Sequence, residues 1–138
     1  MGTIEVKVVR RVRREDLLRL YREAGWWKPA LPPPPGYLAA VMKGSTCFVG
    51  AFCGGRMIGM GRCLSDGVSD AYIQDVTVLD GFRKRGIGKR IIAEIVGCLR
   101  RRGVDWIGLI AEPGSLAFYR GLGFGAMRGC VPMRWRGR

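Results

Sequence analysis

The sequence contains no histidine, and this absence narrows the catalytic chemistry open to the protein. Histidine is the usual general base because its pKa lies near neutral pH. Any proton transfer must therefore use a carboxylate, a tyrosine, water or the backbone. A zinc site is disfavoured too, because none of the five cysteines forms a Cys-x-x-Cys pair. We expect no metal centre, and we expect free, mostly buried thiols.

Long apolar runs are also absent, so no segment has the length of a transmembrane helix. Residues 1–7 lack the apolar core of a secretory signal, and Val6 stands where a myristoylation site needs Ser or Thr. We therefore expect a cytoplasmic protein. Because 138 residues is the usual length of one domain, we expect residues 1–138 to form a single domain.

Acidic residues are few: 24 Lys and Arg stand against 11 Asp and Glu, which gives a net charge of +13. A charge of this size attracts phosphorylated ligands, acidic proteins or nucleic acid. Near the carboxyl terminus, residues 128–138 combine four arginines with Trp135. Proteins that bind single-stranded nucleic acid use such mixtures, whereas a solvated basic tail has the same composition.

Apolar periodicity predicts a layered α/β fold. The predicted strands cover residues 4–8, 46–52, 57–64, 71–79, 105–111 and 127–135, and the predicted helices cover residues 15–24, 36–43, 88–102 and 113–120. Tight turns join the strands between residues 46 and 79, so these strands should be antiparallel. The helix at 88–102 should make a right-handed crossover between two parallel strands, which gives a mixed sheet.

The most informative stretch is the basic glycine segment at residues 83–90, Arg-Lys-Arg-Gly-Ile-Gly-Lys-Arg. It lies between a predicted strand and a predicted helix, where free N–H groups, the helix dipole and close backbone approach favour an anion. It is not a Walker A loop, because Lys89 is followed by Arg90. It is not a dinucleotide fingerprint either, because Ile91 stands where a third glycine is needed. A bare turn needs no such density of cations.

Two motifs resemble the GCN5-related N-acetyltransferase (GNAT) family. Residues 83–88 match its Arg/Gln-x-x-Gly-x-Gly/Ala signature, and residues 117–124 resemble its A-x-x-F-Y-x-x-x-G-F segment, with the alanine closer to the aromatic pair. The resemblance covers about residues 46–125. It implies a mixed, mostly antiparallel sheet with a central splayed parallel strand pair, at residues 76–79 and 107–111, and helices on both faces.

The resemblance also implies a site for acetyl-CoA. In the family, backbone N–H groups of the loop hold the pyrophosphate, and the pantetheine arm pairs with the preceding strand. The implied cofactor-binding residues are Val76, Thr77, Val78, Arg83, Lys84, Arg85, Gly86, Ile87, Gly88, Lys89, Arg90, Ser115 and Tyr119. Ser115 departs from the asparagine often found near its place, and a plain helix-start serine is the alternative.

Tyr119 and Asp75 are the predicted catalytic residues. Tyr119 matches the family tyrosine that protonates the departing thiolate, and the alternative is a packed core aromatic. Asp75 is a carboxylate in an apolar strand, where an unpaired charge is costly. With Gln74 it resembles the Glu-Asp pair of the glucosamine-phosphate acetyltransferases. It would take a proton from the amine through water, and structural hydrogen bonding is the alternative role. Asp70 and Glu112 are weaker candidates.

The predicted acceptor site consists of Trp26, Trp27, Tyr37 and Gln74. The aromatic residues would form a flat wall or a cation–π cage for an amine, and a hydrophobic lid over the core is the alternative. We therefore expect an N-acetyltransferase that acts on a small-molecule or peptide primary amine by direct attack in a ternary complex. A non-catalytic acetyl-CoA sensor and a basic nucleic-acid-binding module are the alternatives. No membrane partner is expected, a nucleic-acid partner is disfavoured, and a homodimer is left open.

Overall fold

The computed structural model describes residues 2–137. Its elements in chain order are β1 Ile4–Val8, α1 Arg14–Glu23, α2 Tyr37–Gly44, β2 Cys47–Cys53, β3 Arg56–Ser65, β4 Asp70–Val78, α3 Ile87–Arg101, β5 Trp106–Leu109 and α4 Leu116–Arg120, with a 3₁₀ turn at Asp80–Phe82. Over these residues, no helix is both long and apolar enough to cross a bilayer.

The five strands form one mixed sheet in the order β1-β2-β3-β4-β5. The strands β1 to β4 are antiparallel neighbours, and β5 lies parallel to β4. The long helix α3 connects these two parallel strands, as the crossover predicted from the sequence requires. The mixed, mostly antiparallel sheet with one parallel pair is therefore confirmed.

Helices cover both faces of the sheet. On one face, a Cβ built on Gly61 would lie 2.7 Å from Ile91 and 3.0 Å from Ile95, so β3 runs directly under α3. On the other face, Met60 of β3 belongs to a buried cluster with Leu17 and other residues of α1. These two faces are named the α3 face and the α1/α2 face.

A buried carboxylate fastens α1 to the sheet. Asp16 is 3% exposed, and its Oδ2 accepts a 3.2 Å hydrogen bond from the backbone N–H of Met57 at the start of β3. The guanidinium groups of Arg13 and Arg19 lie 3.3 and 3.4 Å from the same carboxylate. Burying a charge is tolerable only when it is paired and hydrogen-bonded, so this cluster fixes the position of α1.

The chain divides into two compact units between Gly108 and Leu109. The first unit holds the first four strands, most of β5 and the helices α1 to α3. The second holds the end of β5, α4 and an irregular carboxyl-terminal segment. A single domain over residues 1–138 remains a prediction.

The predicted strand over residues 127–135 is wrong, because this segment has no regular secondary structure. Pro132 lacks an amide hydrogen for a strand ladder, and Gly129 takes a φ of 80°. The alternating apolar side chains that suggested a strand stay in solvent: Val131 is 75% exposed, Met133 91% and Trp135 86%. Alternation alone does not form a strand when no neighbouring strand buries the apolar side.

The expectation of free thiols is wrong for two of the five cysteines, because Cys47 on β2 forms a disulfide with Cys98 on α3. The remaining three are free, and of these Cys63 is buried, Cys53 half-buried and Cys130 exposed. The paired residues are 51 positions apart, so no local spacing motif marks them. The packing of α3 on the sheet brings them together.

Candidate active site

The basic glycine segment forms an open helix N-terminus. Gly86 caps α3 with a φ of 76°, a left-handed conformation that glycine adopts without strain. The N–H of Arg90 donates to the carbonyl of Gly86 at 3.2 Å. The N–H groups of Ile87, Gly88 and Lys89 meet no acceptor within residues 2–137. Three unpaired donors at the positive end of a helix dipole make a site for an anion.

Three arginines of the segment bind the protein itself. Arg83 donates through Nε to the carbonyl of Val78 at the end of β4, at 2.9 Å. Arg90 donates to a backbone carbonyl of β1 at 3.2 Å. The guanidinium of Arg85 lies 5.4 Å from the centre of the Phe82 ring. These contacts hold the loop in shape and use part of its positive charge.

Two lysines of the segment remain available to a ligand. Lys84 and Lys89 are exposed, and neither forms an ion pair or side-chain hydrogen bond in the described part of the chain. Lys84 takes a φ of 63°, which is uncommon for a residue with a side chain. Lysine side chains bind phosphate as point charges. The unpaired N–H groups and free ammonium groups together fit a diphosphate.

A bulge in β4 changes which residues share a face of the sheet. The register between β3 and β4 shifts at Gly61, which opposes both Asp75 and Val76. Asp75 takes a φ of 58°, so the extra residue lies in a left-handed conformation. Arg62 pairs with Gln74, and its contact with Asp75 puts both polar residues of β4 on the α1/α2 face. Regular alternation would put Gln74 and Asp75 on opposite faces.

Asp75 lies at the centre of a polar network on the α1/α2 face. Its Oδ2 accepts hydrogen bonds from the hydroxyl of Tyr21 at 2.8 Å and from Nε of Arg62 at 2.7 Å. Arg62 also donates to the hydroxyl oxygen of Ser45 at 3.3 Å, and this hydroxyl donates to the carbonyl of Val41. The other carboxylate oxygen, Oδ1, has no partner within residues 2–137. The network therefore joins α1, α2, β3 and β4 and leaves one oxygen free.

Tyr21 serves this network as a hydrogen-bond donor. Burial raises the pKa of its phenol well above the usual range, and the nearby Asp75 carboxylate raises it further. The phenol therefore keeps its proton at any physiological pH. Its ring packs edge-on against Trp26, with the centroids 5.6 Å apart, which fixes the direction of the hydroxyl.

The predicted acceptor aromatics lie between α1 and α2. Trp26 and Trp27 pack against the buried cluster on the α1/α2 face, and Nε1 of Trp27 donates to the carbonyl of Leu31 at 2.8 Å. The Tyr37 ring lies 5.2 Å from that of Trp27 and is 41% exposed. Tyr37 also lines a cavity of about 250 Å³ with residues 33–35. The two tryptophans thus cover the core, as the alternative interpretation stated, and their contact with an acceptor stays a prediction.

The second unit places Tyr119 in an aromatic cluster. Tyr119 lies on α4, and its ring is 5.0 Å from Phe118 and 5.8 Å from Phe124, both edge-on. Burial, and then the charge of Glu112, raise the pKa of the Tyr119 phenol. Its hydroxyl has no hydrogen-bond partner among the described residues. Ser115 lies at the amino end of α4, and its hydroxyl donates to the carbonyl of Glu112 at 2.7 Å.

Sequence reasoning missed two members of the Asp75 network. The apolar pattern of α1 includes Tyr21, and this pattern agrees with the buried ring but gives no sign of the hydroxyl contact. Arg62 carried a usable signal: it is a charge within an apolar strand, and Asp75 is the opposite charge within the adjacent strand. Buried charges are normally paired, so the two could have been matched.

Comparison with known proteins identifies the family. The model of the acetyltransferase (GNAT) family matches residues 13–124. The chain belongs to the GNAT acetyltransferase family. The general reaction of this family is acetyl transfer from acetyl-CoA. The match includes the basic glycine segment, β4 and α4.

Known acetyltransferases resemble the domain in sequence and in structure. Serotonin N-acetyltransferase 2 of Oryza sativa subsp. japonica, named as chloroplastic, is 38% identical over 86 residues, which are 59% of this chain and 43% of that protein. A GNAT-family acetyltransferase from Streptococcus pneumoniae TIGR4 superposes with a TM-score of 0.83 at 28% identity, and the alignment covers 99% of both chains. The match spans less than half the length of the rice protein, and less than a third of the length of two soybean acetyltransferases.

A third likeness concerns a CoA-derived ligand. The structure of AAC(6')-Iy in complex with a bisubstrate analogue, CoA-S-monomethyl-acetylneamine, has a TM-score of 0.70 and 18% identity over 98% of this chain and 99% of that one. At this identity the likeness shows the fold alone. In that protein, the fold holds a CoA-derived ligand.

Proposed function

We propose that this acetyltransferase domain moves the acetyl group of acetyl-CoA to a primary amine by direct attack in a ternary complex. The observation that carries the proposal is the open amino end of α3. Three unpaired N–H groups lie there beside Lys84 and Lys89, whose ammonium groups are also unpaired. This combination suits the pyrophosphate of acetyl-CoA.

The proposed cofactor site continues from the loop onto β4. The residues from Arg83 to Arg90 would hold the pyrophosphate, and the strand end at Val76, Thr77 and Val78 would pair with the pantetheine arm. The Val78 carbonyl already accepts a hydrogen bond from Arg83. This contact would mark the end of the strand backbone that can pair with the pantetheine arm. Ser115 and Tyr119 on α4 of the second unit are also proposed as cofactor-binding residues, on their place in the family motif.

Two proton transfers are assigned to the chain. Asp75 would take, through water, the proton that an ammonium group must lose before its nitrogen can attack. Acetyl-CoA supplies the acetyl group as a thioester. The amine nitrogen forms a bond to the acetyl carbon, and the bond between that carbon and the CoA sulfur breaks. Tyr119 would give its phenolic proton to the departing thiolate and regain one from solvent. Its raised pKa keeps that proton available at neutral pH.

The proposed acceptor is a primary amine of a small molecule or peptide. Gln74 and Asp75 lie together on the α1/α2 face, and Asp75 has one carboxylate oxygen without a partner in residues 2–137. An ammonium group is the natural ligand of such an oxygen. Tyr37, with Trp26 and Trp27 behind it, would line the approach. A small aromatic amine, an aminoglycoside and a lysine side chain are all compatible with these groups.

An amine-panel assay tests the proposal. The chain is mixed with acetyl-CoA and with serotonin, sisomicin or a lysine-containing peptide, and release of the CoA thiol is followed. Amine-dependent release with formation of the acetylated amine supports the enzyme. Acetyl-CoA binding without transfer to any amine would indicate the sensor instead. Stabilisation by oligonucleotides but not by acetyl-CoA, in a thermal-shift assay, would favour the nucleic-acid-binding module.

Three remaining expectations stand as proposals beside this function. They are a single acetyltransferase domain over residues 1–138, a cytoplasmic location, and an amine acceptor as the partner, with a homodimer left open. The rice relative is named as chloroplastic, so fractionation of cells that express the protein is the test of location. Sedimentation measures whether a homodimer forms.

A further inference from the structure

We propose that Tyr21 and Arg62 are positioning residues for Asp75: they hold its Oδ2 and so leave Oδ1 to receive the acceptor ammonium. The inference rests on the proposed function and deepens it, because it names what orients the acceptor-binding carboxylate. Neither residue belongs to the glycine-loop motif or to the α4 motif.

The geometry of Asp75 shows that its position requires support. The residue lies in the bulge of β4 with a φ of 58°, a conformation that costs free energy for a residue with a side chain. Such a conformation persists where the surroundings over-determine it. Here the hydroxyl of Tyr21 and the guanidinium of Arg62 converge on the same oxygen, at 2.8 and 2.7 Å.

The two supports come from different elements and are themselves held. Tyr21 comes from α1, and its ring is packed edge-on by Trp26. Arg62 comes from β3, its side chain is only 11% exposed, and it is bonded to Ser45 at the end of α2. Asp75 can therefore rotate little, since both ends of the clamp are fixed. A carboxylate with one oxygen clamped and one free can present a defined lone pair to an ammonium group.

The charged and titratable groups around Asp75 agree with this role. Tyr21 from α1 stays protonated because burial and the carboxylate raise its pKa, so it always donates. Tyr37 from α2 also acts on Tyr21 electrostatically. Arg62 from β3 offsets the negative charge of Asp75. An ammonium group bound at the free oxygen would add a second positive charge beside the same carboxylate. Because Arg62 stays paired with Asp75 when the amine departs, the carboxylate is not left as an unpaired anion.

Kinetics of four variants test the role in the reaction. Tyr21→Phe removes only the hydroxyl, Arg62→Met removes the charge, and Arg62→Lys keeps the charge but loses the fork geometry. Asp75→Asn removes the carboxylate charge. We expect kcat/KM for the amine to fall roughly ten-fold in Tyr21→Phe and further in Arg62→Met, with part of the loss restored in Arg62→Lys. The Kd for acetyl-CoA should stay within about two-fold, because the clamp does not touch the glycine loop.

Matched controls separate positioning from a general loss of structure. Tyr72→Phe alters a tyrosine of the same strand β4 that has no side-chain hydrogen bond in the described chain. Arg100→Met removes an exposed arginine of α3 that forms no ion pair or side-chain hydrogen bond in the described chain. Both should leave kcat/KM for the amine near the wild-type value. Equal loss of amine turnover and acetyl-CoA affinity in Tyr21→Phe, or no change in either, would overturn the proposal.

A double-mutant cycle tests the clamp without any assay of activity. The unfolding free energies of Tyr21→Phe, Asp75→Asn and the double variant are compared with that of the wild type. We expect the two changes to be non-additive, because Tyr21→Phe removes the hydrogen bond that Asp75→Asn weakens by taking away the charge of its acceptor. Additive effects would overturn the clamp. Coupling in the cycle with no turnover on any amine would instead reject the proposed function and leave the contact standing.

Discussion

The hydroxyl of Tyr21 donates a 2.8 Å hydrogen bond to Oδ2 of Asp75, although the two residues are 54 positions apart in the chain. One belongs to α1 and the other to the bulge of β4. The bond ties the helix that borders the proposed acceptor site to the strand that leads toward the glycine loop. The same oxygen accepts from Arg62, so the acidic group nearest the proposed pantetheine strand is oriented from two sides.

Alkaline pH should weaken the fold through Tyr21. The native state raises the phenol's pKa above its ordinary value of 10.0, so it retains a proton that the unfolded chain releases. The contribution to the unfolding free energy is therefore complete below about pH 10 and is lost as the pH rises above it. We expect Tyr21→Phe to show a shallower decline in urea-unfolding free energy between about pH 9 and pH 11. Parallel declines would contradict the assigned environment.

Tyr119→Phe should reduce turnover far more than cofactor affinity. If the phenol donates the proton to the thiolate, its removal should lower kcat about 100-fold, in the range for general acid catalysis. The ring stays in place between Phe118 and Phe124, so the Kd for acetyl-CoA should be nearly unchanged. Tyr72→Phe is the control. Equal losses of kcat and acetyl-CoA affinity would mean that the tyrosine only packs.

The order of the elements could be predicted from the sequence, because local patterns encode it. The alternation at β1, the apolar stripe of α3 and the glycine turns each depend on neighbouring residues. The glycine loop could be predicted for the same reason. The disulfide of Cys47 and Cys98 could not, since it depends on how α3 packs on β2. The strand predicted at residues 127–135 failed because alternation says nothing about whether a pairing partner exists.

The bulge explains why the position of Asp75 could be predicted only in part from the sequence. Strict alternation puts Gln74 and Asp75 on opposite faces, and only the register shift at Gly61 brings both to the α1/α2 face. Periodicity detects regular strands, and a bulge is a departure from regularity.

Loss of the disulfide should destabilise the first unit. Cys47 and Cys98 close a long loop between β2 and α3, and removal of such a link lowers the unfolding free energy by about 2–4 kcal/mol. Cys98→Ala should show this loss in guanidinium denaturation, and a reducing agent should produce it in the wild type. Cys130→Ala changes an exposed free thiol and serves as the control. Identical midpoints for both variants would argue that the link contributes nothing.

Acetyl-CoA binding at the basic glycine loop underlies every step proposed for this protein, and calorimetric titration of two glycine variants measures it directly. Gly86 caps the start of α3 and Gly103 follows its end; both have positive φ, 76° and 86°, and at both a Cβ would meet nothing within 4 Å. Valine at either position should therefore cost similar backbone strain, about 1–2 kcal/mol. We predict at least about ten-fold weaker acetyl-CoA binding in Gly86→Val and wild-type affinity in Gly103→Val. Unchanged affinity in Gly86→Val would contradict the account.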